Sequence, residues 1–249
     1  MNWQELMTPE KVQVTSNPSY CKFVCEPLER GFGITIGNSL RRIILSSLYG
    51  AAIVSVKFDA VMHEFSAIPG VLEDVSEIIL NLKQVRFKVS DPEVRTVRID
   101  ASGEGPVTAG DIISDDGHCE VLNQKQLIAT LSKKASLKME MKVKVGKGYA
   151  LAEANKDEDD PAGSIPIDAV FSPIKRVNFT VGNARIGQRT DYDKLTMEIW
   201  TDGSVAPEDA IAYAAKILKE QMALFINLDE QLEPKADTKT EEQQTPQFN

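Results

Sequence analysis

The chain has 249 residues, 42% of them apolar, enough for one large or two modest hydrophobic cores. Its 28 basic and 37 acidic residues give a net charge of -9, which excludes a surface that wraps nucleic acid by general phosphate neutralisation and leaves room only for a local basic patch. No apolar run is long enough to span a bilayer, and the start, MNWQELMTPEKVQV, lacks a signal-peptide pattern, so a cytoplasmic protein in a reducing compartment is expected.

From the N-terminal end, Cys21, Phe23 and Cys25 alternate with Tyr20, Lys22, Val24 and Glu26, the period of a half-buried strand. Cys21 and Cys25 stand roughly 13 Å apart on such a strand, too far to bridge, and read as small core residues. The next block, ERGFGITIGNSLRRIILSSL from Glu29 to Leu48, runs Gly31, Gly33 and Gly37 into an amphipathic helix. Ile36, Leu40, Ile43, Ile44, Ser47 and Leu48 recur at the helical period and face a core. Asn38, Arg42, Leu45 and Tyr49 line a second face whose cation, leucine and ring suit a partner surface, although a solvated arginine explains Arg42 equally well.

The glycine run also mimics a dinucleotide fingerprint, with Asp59 following about 20 residues on. A nucleotide-dependent enzyme using the Gly31 to Gly37 loop and Asp59 is therefore the competing reading. The preceding strand alternates and is interrupted by Pro27, whereas a strand of a parallel nucleotide-binding sheet reads as continuous apolar sequence. The plainer account of the glycines is a tight turn and close backbone approach.

Further strands are predicted at 52–58, 85–89 and 137–145, the last alternating Leu137, Met139, Met141, Val143 and Val145 with Lys138, Glu140, Lys142 and Lys144. A helix is predicted over 73–83, with Val75, Ile78, Ile79 and Leu82 on one face. The acidic segment 153–164 carries Asp157, Asp159 and Asp160 but lacks the glycine and terminal glutamate of a calcium loop, and reads as a solvated loop. Strands at 177–181 and 195–199, separated by GNARIGQRTDYDK, suggest a hairpin with a long tip.

The clearest helix begins at Pro207, with Glu208 and Asp209 complementing its dipole, and runs to about Leu228. Ile211, Ala215, Leu218, Met222 and Phe225 form one apolar stripe; Ala210, Tyr213, Ile217, Leu224 and Leu228 form another. One sheet cannot cover both, and a symmetric second copy or a further intramolecular layer must cover the remainder. After Glu233 the polar, proline-containing PKADTKTEEQQTPQFN reads as a disordered linker over 233–249, leading towards a further module.

His63 and His118 stand in no metal-ligand pattern, and the sequence contains no nucleophile elbow, Walker loop or zinc ribbon. His63 and Glu64, adjacent on a strand, would point to opposite faces. No catalytic residue, metal or cofactor is assigned.

Five blocks, ERGFGITIGNSLRRIILSSL, HEFSAIPGVLEDVSEIILNLK, GPVTAGDI, FSPIKRV and QRTDYDKL, together make the chain closely resemble the bacterial RNA polymerase alpha subunits over about residues 8 to 232. The resemblance implies an α+β fold: a discontinuous dimerisation domain, an antiparallel sheet with two long helices built from residues 1–49 and 175–232, and an inserted mostly-β domain at 50–174. It implies a homodimeric assembly scaffold that seats the beta and beta-prime subunits of DNA-directed RNA polymerase, a nucleotidyltransferase, meets DNA only through the holoenzyme, and lies in the cytoplasm with the nucleoid.

Carried over by motif, the beta contact falls on Arg41, Arg42, Leu45, His63, Glu64, Phe65, Ser66, Gly70, Val71, Glu73 and Asp74, with Arg42 foremost because its planar fork engages a carboxylate with fixed geometry. The beta-prime contact falls on Lys83, Ile167 and Ile174. The dimer interface falls on Leu40, Ile44, Leu48, Ile211, Leu218, Met222 and Phe225. The family continues beyond this linker into a small helical domain that binds promoter DNA and activators, so that activity is not expected of this sequence.

Overall fold

The computed structural model describes Pro9 and residues 11–114, 117–157, 160–186 and 189–230; the expected linker and Asp159 lie outside the described residues. The chain opens with β1 (Lys11–Asn17), β2 (Tyr20–Leu28), α1 (Phe32–Ser46) and β3 (Tyr49–Phe58). There follow α2 (Val75–Leu82), β4 (Phe87–Val89), β5 (Arg95–Ser102), β6 (Gly105–Thr108), β7 (Ile113–Ser114), β8 (Cys119–Val121) and β9 (Leu127–Leu131). Next come β10 (Ser136–Lys147), β11 (Tyr149–Ala150), α3 (Ala152–Asn155), β12 (Ser164–Pro166) and β13 (Ala169–Val170). The long hairpin β14 (Ile174–Ile186) and β15 (Arg189–Thr201) leads to α4 (Pro207–Glu230). The result is a mixed α/β fold with mostly antiparallel sheets and few helices.

Both ends of the chain share one sheet, ordered β1-β2-β15-β14 and antiparallel throughout. Cys21, Phe23 and Cys25 lie opposite Ile199, Met197 and Leu195, so one face of the sheet is apolar and α1 and α4 pack on it. The predicted long tip of the β14–β15 hairpin is instead strand: Gly182 pairs with Lys194, Asn183 with Asp193 and Ala184 with Tyr192. Ala184 and Tyr192 are buried, and continued pairing satisfies backbone groups that an open tip would leave to water.

A second core lies between residues 53 and 167, where the sheet ordered β7-β5-β10-β3-β4-β8 packs against α2. The alternation of Leu137, Met139, Met141 and Val143 is realised, each almost fully buried. Burying each such side chain contributes ~1.5–3 kcal/mol. The GPVTAGDI block forms a closed turn: the Asp111 carboxylate accepts from the Thr108 N–H at 2.7 Å and from its hydroxyl at 3.1 Å.

The chain crosses between the two cores at residues 48–53 and 167–174, and the crossings are clasped together. A Cβ on Gly50 would overlap the Phe171 carbonyl oxygen, and one on Gly146 would stand 2.8 Å from the Phe171 ring. The Phe171 N–H also donates to Gly148 O at 2.9 Å.

Candidate subunit-contact surface

The glycine run fixes where α1 sits. Gly31 adopts φ 91, which favours glycine, and the helix begins inside the run at Phe32. Gly33 and Gly37 are buried against the sheet: a Cβ on Gly33 would stand 2.8 Å from Val181, and one on Gly37 would stand 2.6 Å from the Phe179 ring. The first-turn amides, the place where a nucleotide phosphate would bind, are already occupied. Gly31 and Gly33 N–H donate to Asp193 Oδ2 at 2.8 and 3.0 Å. Since the strand before the helix also belongs to an antiparallel sheet, while Asp59 follows β3 of the other sheet, the geometry of the glycine-loop nucleotide site is not formed.

With α1 held close to the sheet, its outward face carries Arg41, Arg42 and Leu45, all exposed, and the exposed ring of Tyr49 follows the helix end. Neither guanidinium has an ion-pair or hydrogen-bond partner among the described residues. The opposite face corrects part of the sequence reading. Leu40, Ile44 and Leu48, carried over by the resemblance as a dimer interface, are buried in the protomer's own core together with Ile211, Leu195, Met197 and Ile199.

On α4 the core-facing stripe outruns the core. Ala210, Ile211 and Ala214 are buried, Leu218 is half-buried, and Met222, Leu224 and Phe225 are exposed, Phe225 at 67%. The large apolar side chains of Met222, Leu224 and Phe225 therefore project from α4 with no described residue covering them. Glu208 fixes the first turn: its carboxyl lies below the usual range because the Ser16 hydroxyl and a backbone N–H donate to it.

The HEFS and PGVLED blocks form a loop leading into α2. Ser66 Oγ lies 2.8 Å from His63 Nδ1, and the Ser76 hydroxyl donates to Glu64 O at 2.9 Å. Gly70, at φ 83, packs against Ala135, and its carbonyl accepts from Ser132 N–H at 2.8 Å. Val71 is half-buried against the second core. Glu73 and Asp74 are engaged within the chain: Glu73 accepts from Thr130 N–H at 2.7 Å and its hydroxyl at 2.9 Å, while Asp74 caps α2 by accepting from Glu77 N–H at 2.7 Å. These bonds hold out Phe65, 84% exposed, with Met62 and Leu72 also bare. Sequence reasoning missed Met62 and Leu72; a lone apolar residue among loop residues carries no periodicity, and only the loop's closure shows that they face out.

The three residues carried over as a beta-prime contact do not form one surface. Ile167 is buried in the second core and Ile174 in the first, where burial of their branched side chains leaves nothing to offer a partner. Lys83, at the end of α2, pairs with Asp168 at 3.1 Å. Asp168 also accepts from the Ala152 N–H at 3.1 Å, and these two donors, Lys83 foremost, hold its carboxyl below the usual range. Desolvation, and then the bond to Asp168, push the Tyr149 phenol up.

Residues 55–172 match the RNA polymerase Rpb3/RpoA insert domain. The DNA-directed RNA polymerase subunit alpha of Desulfosudis oleivorans is 68% identical over 235 residues, 94% of this chain and 69% of that protein. The same subunit of Desulforapulum autotrophicum is 65% identical over 249 residues, 100% of this chain and 73% of that protein. That of Geobacter metallireducens is 61% identical over 245 residues, 97% of this chain and 72% of that protein. Similarity of this extent, joined to an insert-domain match that coincides with the second core, means that the chain belongs to the family of DNA-directed RNA polymerase alpha subunits.

Proposed function

We propose that the chain is the homodimeric assembly scaffold of its polymerase, in which one copy seats the beta subunit and the other the beta-prime subunit. The larger subunits carry out nucleotidyl transfer, and DNA is met through the holoenzyme in the cytoplasm. Residues 1–49 and 175–232 form the dimerisation unit and 50–174 the inserted unit, a division supported by the two separate cores. The second copy covers the apolar stripe that runs from half-buried Leu218 to exposed Met222 and Phe225.

The observation that carries this reading is the outward face of α1: two arginines with no partner among the described residues, beside an exposed leucine, on a helix fixed to the sheet by buried glycines. Arginine and aromatic side chains dominate interface energetics, and this face carries Arg42 and, just past the helix end, the exposed ring of Tyr49. Symmetry makes the two copies equivalent until a larger subunit takes one of them. Arg42→Ala should leave the dimer intact in sedimentation and abolish capture of the beta subunit in a pull-down; normal capture would remove the assignment.

A further inference from the structure

Between the C-terminal end of α1 and the first half of α4 lies an open groove of about 370 Å³, lined by Leu48, Tyr49, Val205, Tyr213 and Ile217, with Lys216 at its rim. It has room for a bulky apolar side chain. Tyr49 and Tyr213 are exposed, so the groove opens to solvent. At 3.6 residues per turn, Tyr213 and Lys216 lie about half a turn around α4 from Leu218, Met222 and Phe225. A second copy seated on that stripe approaches α4 from the side away from Tyr213, while the exposed Leu224 lies on the groove's own side.

Tyr49 joins the groove to the outward face of α1. From Arg42 the exposed residues of this face run through Leu45 to Tyr49, the first residue of β3, which lines the cavity. One end of this strip is cationic, with Arg41 and Arg42 lacking partners among the described residues; the other is an apolar hollow. A ligand matching both ends carries a carboxylate and, further along the same segment, a bulky apolar side chain.

We infer that the groove is the anchor pocket for the larger subunit captured by α1: a carboxylate of that subunit meets Arg42, and an aromatic or large aliphatic side chain of the same segment fills the space between Tyr49 and Tyr213. This rests on the reading of α1 given under Proposed function. Desolvated pockets filled by an aromatic anchor are where interface energy concentrates, which gives the groove, rather than the rim charges, the larger share of affinity.

The test uses the whole chain with the full-length beta subunit of the same polymerase as probe, in a quantitative pull-down paired with sedimentation. Tyr213→Asp places a charge in the hollow, and Glu220→Trp, from the exposed rim, closes its mouth. Both should weaken capture by at least about tenfold with the dimer unchanged, while Tyr213→Phe captures normally. Undiminished capture by both, or loss of the dimer in Tyr213→Asp, would overturn the inference, the latter because a second copy would then be the occupant. Arg42→Ala in the same assay separates the two claims: if it fails to bind while both groove variants bind normally, the groove alone falls; if it binds normally, the α1 reading falls.

Discussion

Gly31 and Asp193, far apart in sequence, meet at 2.8 Å, the glycine N–H donating to the aspartate carboxylate at the first turn of α1. The same oxygen takes the Gly33 N–H at 3.0 Å, so one charge on β15 satisfies two of the free amides of the helix and complements its dipole. Asp193→Ala should lower stability by ~1–2 kcal/mol, read as a lower midpoint in chemical denaturation. Addition of nicotinamide or adenine nucleotides should give no saturable signal in the intact protein, and a saturable heat that Gly33→Val abolishes would restore the enzyme reading.

Gly37 has no room for a side chain, since its Cβ would stand 2.6 Å from the Phe179 ring. Gly37→Ala gains helix propensity of ~1 kcal/mol but must push α1 off the sheet, and overpacking of this kind costs ~1–3 kcal/mol. A net loss is expected, measurable as a lower thermal midpoint, together with weaker beta capture because Arg42 moves with the helix.

Glu73 ties the loop before α2 to β9 through two hydrogen bonds to Thr130. Glu73→Ala leaves the Thr130 N–H without its acceptor and should cost ~1–3 kcal/mol. Hydrogen exchange should rise across residues 63–74 ahead of the rest of the second core, whereas uniform exchange across the core would show that Glu73 does not hold the loop.

Phe225 is largely exposed in the single protomer, so Phe225→Glu should not disturb the fold. If a second copy covers this stripe, the substitution should raise the dimer dissociation constant by at least about tenfold, equivalent to ~1.4 kcal/mol or more. Sedimentation over a concentration series reads this directly, and an unchanged dimer would place the symmetric contact elsewhere.

Asp168 makes part of the second core sensitive to acid. Its folded pKa lies below the ordinary value of 3.8, Lys83 being the main cause, so its contribution is present above that value and is lost as pH falls through the folded pKa. The pair is partly exposed, and its worth is accordingly under ~1 kcal/mol. Asp168→Asn should flatten the loss of stability below about pH 4 relative to the unsubstituted chain, compared by denaturant titration at several pH values.

The elements with long, unbroken periods were legible in sequence: α4 from Pro207, α2 with Val75, Ile78, Ile79 and Leu82, and β10 with its alternating methionines and lysines. Short strands such as β6, β7 and β8 were not, because two to four residues cannot display a period, and their order in the sheet depends on partners distant in sequence. On α1, Asn38, Arg42, Leu45 and Tyr49, set apart from the core stripe by their period, are all exposed. Leu40, Ile44 and Leu48 face a core, as their period predicts, whereas the family resemblance had put them in a dimer interface: an apolar stripe shows that a face is covered but not by which molecule. Glu73 and Asp74 show a similar ambiguity, since carboxylates in a loop look alike whether they await a partner or cap the chain's own amides.

The clasp of Gly50 and Phe171 gives the molecule a mechanical property. Because both covalent crossings between the cores meet there, with main-chain oxygen against a glycine that has no side chain to compress, the two halves cannot swivel about a single strand as beads on a string would. If a partner takes both the loop bearing Phe65 and the helix bearing Arg42, it works against two crossings held together at Gly50 and Phe171 rather than against one.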